Sequence, residues 1–310
     1  MSNDLIEKIN KIKVDRNAII LAHYYQPPEI QDLADYVGDS YFLSEIARDC
    51  DEEVIVFCGV KFMGESAKIL SPNKKVLMPI IDAGCAMADM ANEKVILELK
   101  KKYPNAIVVC YINSTAEVKS HCDVAVTSSS AVKILNNIHE KQVIFVPDKN
   151  LGKYISEEFP EKEFILWDGY CKYHHNIKVS DIIELKIRYK NAKVLVHPEC
   201  QSEIRDIADY IGSTSGIIDY ATKSNYKDFI VATEEGILHE LTKKNPNKNF
   251  YIPGDSVCCE DMKKTTLESI YETLLKMENE IYIEEEIRVN ALNCLLNMHR
   301  FAGDKNESTV

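Results

Sequence analysis

Residues 32–40 read DLADYVGDS, and residues 206–214 read DIADYIGST. Asp35 and Asp209 hold the same place in the two stretches, as do Gly38 and Gly212, and Asp123 fills the aspartate slot in a region between them. The rest of the chain falls into step around this echo. A polar pair follows an apolar strand run three times, as His23/Tyr25, Tyr111/Asn113 and His197/Glu199. A hydroxyl stands 17 positions after the first member of each pair (Ser40, Ser128, Thr214), and a cysteine stands 62, 60 and 62 positions after it (Cys85, Cys171, Cys259). A repeat kept for packing alone would preserve only apolar positions. One that keeps polar and cysteine positions in register implies three equivalent units aimed at one shared point.

Within each unit, apolar runs such as AIIL, AIVVC and KVLV alternate with helix-period segments, the pattern of parallel sheets crossed by helices. A chain of 310 residues suits two or three small cores better than one. The expected fold is α/β, with three αβα domains related by a pseudo-three-fold axis and short parallel sheets around a central cavity. The expected domains are 18–86, 87–172 and 173–259, with flanking helical segments 1–17 and 260–310 packed on the first. IQDLADYV and SEIRDIADYI read as helical, residues 263–282 as one long amphipathic helix, and Ser40, Ser128 and Thr214 as helix N-caps.

The net charge of −12 disfavours a nucleic-acid or anionic-membrane partner, which would require clustered Lys and Arg. No cationic leader precedes a long apolar run, so a cytoplasmic location is expected. In that reducing compartment ten cysteines point to metal ligation before disulfides. Cys58, Cys110, Cys122 and Cys294 sit in apolar or amphipathic patterns and read as packing residues.

The chemistry rests on the repeated rows. Cys85 (IIDAGCAMADM), Cys171 (LWDGYCKYHH) and Cys259 (PGDSVCCEDMK) each follow a strand run in a Gly-containing loop. Three such thiolates could hold an iron–sulfur cluster with one iron free of protein ligand, or three of four positions around zinc. Cys258 adjoins the third thiol, and the repeat offset selects Cys259. Paired residues spaced i, i+2 in extended chain share a face. His23 and His197 are candidate catalytic groups, Glu199 is the candidate general base with a raised pKa, and Tyr25, Tyr111 and Asn113 offer neutral hydrogen-bonding groups. Hydroxyls at three helix starts would suit an anionic substrate bound through N–H groups instead of a basic patch. A triplicated sensor with a structural metal and a hydro-lyase acting on another hydroxy acid are the alternative readings.

The stretches LAHYYQPPEIQDLADYVGDS, GVKFMGESAKIL, DAGCAMADM, CYINSTAEVKSHCDVAVTSS, WDGYC, HPEC and GSTSG resemble the quinolinate synthase family over nearly the whole chain. The resemblance implies a transferase of NAD biosynthesis that condenses iminoaspartate with dihydroxyacetone phosphate to quinolinate, losing phosphate and two waters. It implies a [4Fe-4S] cluster on Cys85, Cys171 and Cys259, with an open iron acting as Lewis acid. Catalysis would fall to Glu199, Tyr25, His23 and His197, and substrate contacts to His23, Ser40, Tyr111, Asn113, Ser128, His197, Glu199 and Thr214. A separate enzyme, an aspartate oxidase or dehydrogenase, would supply iminoaspartate. The third loop departs from the family's frequent Cys-Pro-x-Met, reading CCEDMK, while Met262 and Lys263 keep the register that favours Cys259.

Overall fold

A computed structural model of the chain describes residues 2–254 and 257–303. After a leading helix α1 (Ser2–Asp15), the first sheet is built from β1 (Ala18–His23), β2 (Tyr36–Gly38), β3 (Val54–Cys58) and β4 (Lys75–Leu77), connected by α2 (Pro28–Leu33), α3 (Ser40–Asp49) and α4 (Lys61–Leu70). Helix α5 (Glu93–Lys102) leads into β5 (Ile107–Tyr111), β6 (Val124–Val126), β7 (Gln142–Val146) and β8 (Glu163–Leu166), connected by α6 (Ala116–Ser120), α7 (Ala131–Leu135) and α8 (Lys149–Glu158). Helices α9 (Lys172–His175) and α10 (Val179–Arg188) precede β9 (Lys193–Val196), β10 (Tyr210–Ile211), β11 (Asp228–Ala232) and β12 (Asn249–Tyr251), with α11 (Ser202–Arg205), α12 (Thr214–Lys223) and α13 (Ile237–Lys244) between them. The orders β2-β1-β3-β4, β6-β5-β7-β8 and β10-β9-β11-β12 are one topology made three times, and every strand pair is parallel. The chain is thus α/β, with three four-stranded parallel sheets and helices packed against them.

The echoed aspartates show why the sheets close in the same way. The carboxylate of Asp35 accepts the Ile20 N–H at 2.8 Å, and the Asp35 N–H returns to the Ile20 carbonyl at 2.9 Å. Asp123 makes the same exchange with Val108 at 2.7 and 2.9 Å, and Asp209 with Val194 at 2.9 and 2.8 Å. Each pair ties a sheet's first strand to the turn before its second, satisfying a strand-edge donor and acceptor. The echo is therefore not helical throughout, as the sequence predicts: α2 ends at Leu33 and α11 at Arg205, and short strands follow. A side chain at Gly38 would run into the Phe42 ring, and one at Gly212 into the Tyr210 ring.

The apolar strands bury both faces, as parallel strands between helix layers must. Ile19 and Leu21 of β1 face the large shared core, while Ala18, Ile20 and Ala22 face α1 and the segment after the third unit. In β11, Phe229 and Val231 enter the shared core while Ile230 and Ala232 pack in a separate cluster with Ile182 of α10. Cys58, Cys110, Cys122 and Cys294 are buried in these clusters, the packing role expected of them.

The sequence predicts one helix over residues 263–282, and the structure breaks it. Helix α14 (Leu267–Lys276) starts from a capping box of Thr266 and Ser269 and stops at Met277, whose φ of 55° is left-handed. Asn279, with φ 63°, keeps the chain from resuming the helix before α15 (Glu285–Ala302). Helix α14 joins α1 on the outer face of the first sheet. Helix α15 instead lies against α6, β6 and α7 of the second unit and reaches α4 of the first, so the closing segment is not confined to the first unit. Residues 304–310 of that segment lie outside the described residues. Among the described residues, no helix is long and apolar enough to cross a membrane.

Candidate active site

Where the three units meet, one cavity with about 880 Å³ of unfilled space, counting its open mouth, is lined by all twelve residues of the repeated rows. The structure brings together His23 with Tyr25, Tyr111 with Asn113 and His197 with Glu199, each pair at the carboxyl end of its unit's first strand. That is where ligands bind in open α/β sheets.

The two histidines are locked alike. His23 Nδ1 accepts the Tyr25 N–H at 3.1 Å, and His197 Nδ1 accepts the Glu199 N–H at 3.3 Å. With Nδ1 accepting, the proton of each neutral ring sits on Nε2. Burial pushes both imidazoles down to about 3, with the Lys263 charge adding to the effect at His23. They are therefore neutral Nε2–H donors across the working pH range.

Glu199, 4 % exposed, accepts a 2.6 Å hydrogen bond from the Tyr111 hydroxyl and lies 3.0 Å from His174 Nδ1. Burial alone would raise its pKa, but the hydrogen bonds donated by His174 and Tyr111 offset burial and hold the carboxyl below its usual range. The raised pKa expected of Glu199 is thus corrected: its neighbours stabilise the anion. Burial, with Glu199 close by, pushes the Tyr111 phenol well up, so that hydroxyl stays a donor.

His174 extends the carboxylate into a chain. A carboxylate can only accept, so His174 Nδ1 carries the hydrogen, and in the neutral ring Nε2 accepts from the Thr233 hydroxyl 2.9 Å away. Thr233 in turn lies 2.9 Å from the Tyr25 hydroxyl, which lies 2.9 Å from the Thr214 hydroxyl. Donors and acceptors along Thr214, Tyr25, Thr233, His174 and Glu199 are then consistently directed. His174 and Thr233 were not legible from the repeat. Unit-equivalent positions of His174 are Ala88 and Met262, so periodicity carries no signal there.

Two of the hydroxyls stand one position, and the third two positions, from the caps expected of them. Asp39 caps α3 by accepting the Phe42 N–H at 3.0 Å, and Ser213 caps α12 by accepting the Gly216 N–H at 3.1 Å. Ser40 and Thr214 are the first helical residues, and Ser128 lies in the turn before α7, whose N-cap is Ser130. Neighbouring residues able to cap made the sequence ambiguous by one or two positions. Asn113 Oδ1 is buried in the cavity wall with no protein partner, an acceptor placed for a ligand's donor.

The three thiols reach the cavity by equivalent routes. The carbonyl two residues before each cysteine accepts a backbone N–H from the start of α4, α8 or the α13 approach: Lys61 to Ala83 at 2.8 Å, Lys149 to Gly169 at 2.8 Å and Glu235 to Val257 at 2.9 Å. That bond fixes Cys259, not Cys258, as the counterpart of Cys85 and Cys171. Burial pushes the Cys85 thiol up to about 12 and raises Cys171 and Cys259, so ligation there must displace protons. Beside Cys85, a Cβ at Gly84 would meet nothing within 4 Å, leaving room for a bulky group. Donor atoms of Cys171, His174 and Glu199 lie within 4.8 Å of one another, a set able to hold a metal ion. Three converging thiols in a partly apolar recess fit an iron–sulfur group by donor chemistry.

A triplicated α/β chain that turns thiols, imidazoles and carboxyl groups toward a common recess has the makings of a metal-dependent enzyme for small molecules. The family model described as quinolinate synthetase A protein matches residues 7–300. A quinolinate synthase of Clostridioides difficile (strain 630) is 70% identical over 302 residues, covering 97% of this chain and 99% of its own. Quinolinate synthases of Clostridium perfringens (strain SM101 / Type A) and Sulfurihydrogenibium sp. (strain YO3AOP1) are 57% and 54% identical, covering 97% and 92% of this chain and 100% and 94% of theirs. The chain belongs to the quinolinate synthase family, and it is an enzyme.

Proposed function

We propose that the protein condenses iminoaspartate with dihydroxyacetone phosphate to quinolinate, releasing one phosphate and two waters, as a cytoplasmic transferase of NAD biosynthesis. The observation that carries this reading is the meeting of all twelve repeated residues on one cavity in a chain of this family. Cys85, Cys171 and Cys259 would hold a [4Fe-4S] cluster. When bound, it would supply a Lewis acid at the iron without a protein ligand, assisting loss of a hydroxyl as water.

The chain's own groups account for the rest. The Nε2–H groups of His23 and His197 would donate to substrate carboxylate or carbonyl oxygens, and Asn113 Oδ1 would accept from an imine or hydroxyl. The α12 start, with Thr214 beside its cap, would favour a phosphate or carboxylate through N–H groups and dipole. The Asp39 carboxylate already occupies the equivalent place at α3, so anion support is unequal among the units. Glu199 would accept a proton from the triose-derived carbon, while the hydrogen bonds running from Thr214 through Tyr25, Thr233 and His174, all directed toward the carboxylate, would keep it oriented as an acceptor. Iminoaspartate would come from an aspartate oxidase or dehydrogenase.

Anaerobic reconstitution with iron and sulfide, followed by incubation with both substrates, tests the reading. Quinolinate and phosphate should form one to one with no reductant consumed, and Cys258→Ser should keep the iron and sulfide that Cys259→Ser loses. A protein that binds one metal ion through Cys171, His174 and Glu199 and makes no quinolinate would replace it with a mononuclear hydro-lyase.

A further inference from the structure

The cysteine loops share a backbone bond, but in two of them a buried carboxyl also accepts the cysteine's own N–H. The residue 37 positions after the first member of each polar pair is Val60, Asp148 or Glu234. Asp148 is fully buried: Oδ1 accepts the Leu151 N–H at 2.7 Å, and Oδ2 accepts the N–H of Cys171 itself at 3.1 Å. Glu234 is 1 % exposed. Its Oε1 accepts the N–H of Cys259 at 3.0 Å and pairs with Lys263 Nζ at 2.8 Å, while Oε2 accepts the Gly236 N–H at 2.7 Å. Two unlike acids at one repeat position thus make the same contact with the two cysteines. Val60, equally buried, has no side-chain acceptor to offer Cys85.

A buried carboxyl needs partners for its oxygens, and two N–H groups meet Asp148 while two N–H groups and the Lys263 ammonium meet Glu234. A hydrogen bond from a loop's own N–H to a fixed, buried carboxyl oxygen leaves a buried donor unsatisfied if it is lost. It holds the Cα–Cβ direction of that cysteine as well as its position. We propose that Asp148 and Glu234 are positioning residues for the cluster, aiming Cys171 and Cys259 through their backbone N–H groups, while Val60 at the same repeat position leaves Cys85 without that bond. The proposal rests on the reading of Cys85, Cys171 and Cys259 as cluster ligands.

An amide at either position keeps the size but turns one acceptor into a donor, opposing an N–H already present. Reconstituted Asp148→Asn and Glu234→Gln should therefore lose their visible iron–sulfur absorption to a chelator about tenfold faster than wild type, in the range that outer partners of metal ligands command. Glu65→Gln is the control, since Glu65 is also buried and accepts the Ala116 N–H at 2.9 Å, with no cysteine loop attached. It should bleach at the wild-type rate even if its apoprotein melts earlier. Glu234→Asp keeps the carboxyl group but shortens its reach, and is expected to bleach as fast as Glu234→Gln; it provides the comparison if Asp148→Asn does not fold. Wild-type bleaching rates in the loaded variants, or equal acceleration in Glu65→Gln, would overturn this proposal alone. A wild-type protein that takes up no iron and sulfide would overturn the cluster reading and this proposal with it.

Discussion

Glu199 is the residue whose environment differs most from what its sequence position suggests. Tyr111 and His174 both donate to it, so its anion is stabilised and it works as a fixed negative acceptor. Glu199→Gln preserves size but leaves one side-chain N–H2 facing a donor. Turnover should fall about 10²–10⁴-fold while iron and sulfide content stays at the wild-type level; steady-state rates together with metal analysis check both halves, and retained turnover would remove Glu199 from the chemistry. The histidines give a stability signature. Their folded pKa values, about 3, lie far below the ordinary value of 6.5, so on acidification the unfolded chain takes up these protons first. Stability should fall as pH drops from about 6.5 toward 3, by roughly 1.4 kcal/mol per unit for each ring while only the unfolded form is protonated. Urea unfolding of the apoprotein across that window should show a shallower loss for His23→Asn, whose amide oxygen can still accept the Tyr25 N–H.

Among the elements, the first-strand to second-strand tie made by Asp35, Asp123 and Asp209 is the feature most fully written in the sequence, although its meaning was not. The aspartates and glycines keep register because a strand N–H must be met and an aromatic ring needs room. Periodicity alone reads the same letters as helix, since apolar spacing in IQDLADYV and SEIRDIADYI fits a helical face and says nothing of a side chain turning back to a strand. The ties are not equal in their support. Lys13 pairs with Asp35 at 2.5 Å and Lys193 with Asp209 at 2.6 Å, whereas Lys100 stands 3.9 Å from Asp123. Alanine at each position should cost about 1–3 kcal/mol, with Asp123→Ala the mildest; chemical denaturation of the three variants would order them. The cysteine and pair rows were legible for the same reason as the aspartates, because three copies rarely agree by accident. His174 and Thr233 act once, without counterparts in the other units, and so left no periodic trace. Asp148 and Glu234 did leave one, a shared spacing from the polar pairs, masked by the change from Asp to Glu and by Val60 in the first unit.

Across the whole molecule, three units of one topology are not three independent bodies. The shared core runs through all of them, and α15 spans from α4 in the first to α6, β6 and α7 in the second. Its amphipathic pattern announced a buried face but not which surface would receive it, because apolar complementarity is non-directional. Leu295 and Met298 of α15 are fully buried, and Cys294 Sγ lies 3.5 Å from Cys110 Sγ on β5. Leu295→Ala should cost about 2–5 kcal/mol. Amide exchange should quicken in β6 and α6 and remain unchanged in β9 and β11, which α15 does not cover; uniform quickening would show that the molecule opens only as a whole. The placement of α15 also orders events during synthesis. A chain emerging from the ribosome completes β5 and β6 long before it makes residues 285–302, so the second unit waits, with an apolar face uncovered, for the last helix to arrive. Chains cut before residue 285 would carry that uncovered face permanently, which makes α15 the element that separates a closed second unit from an open one.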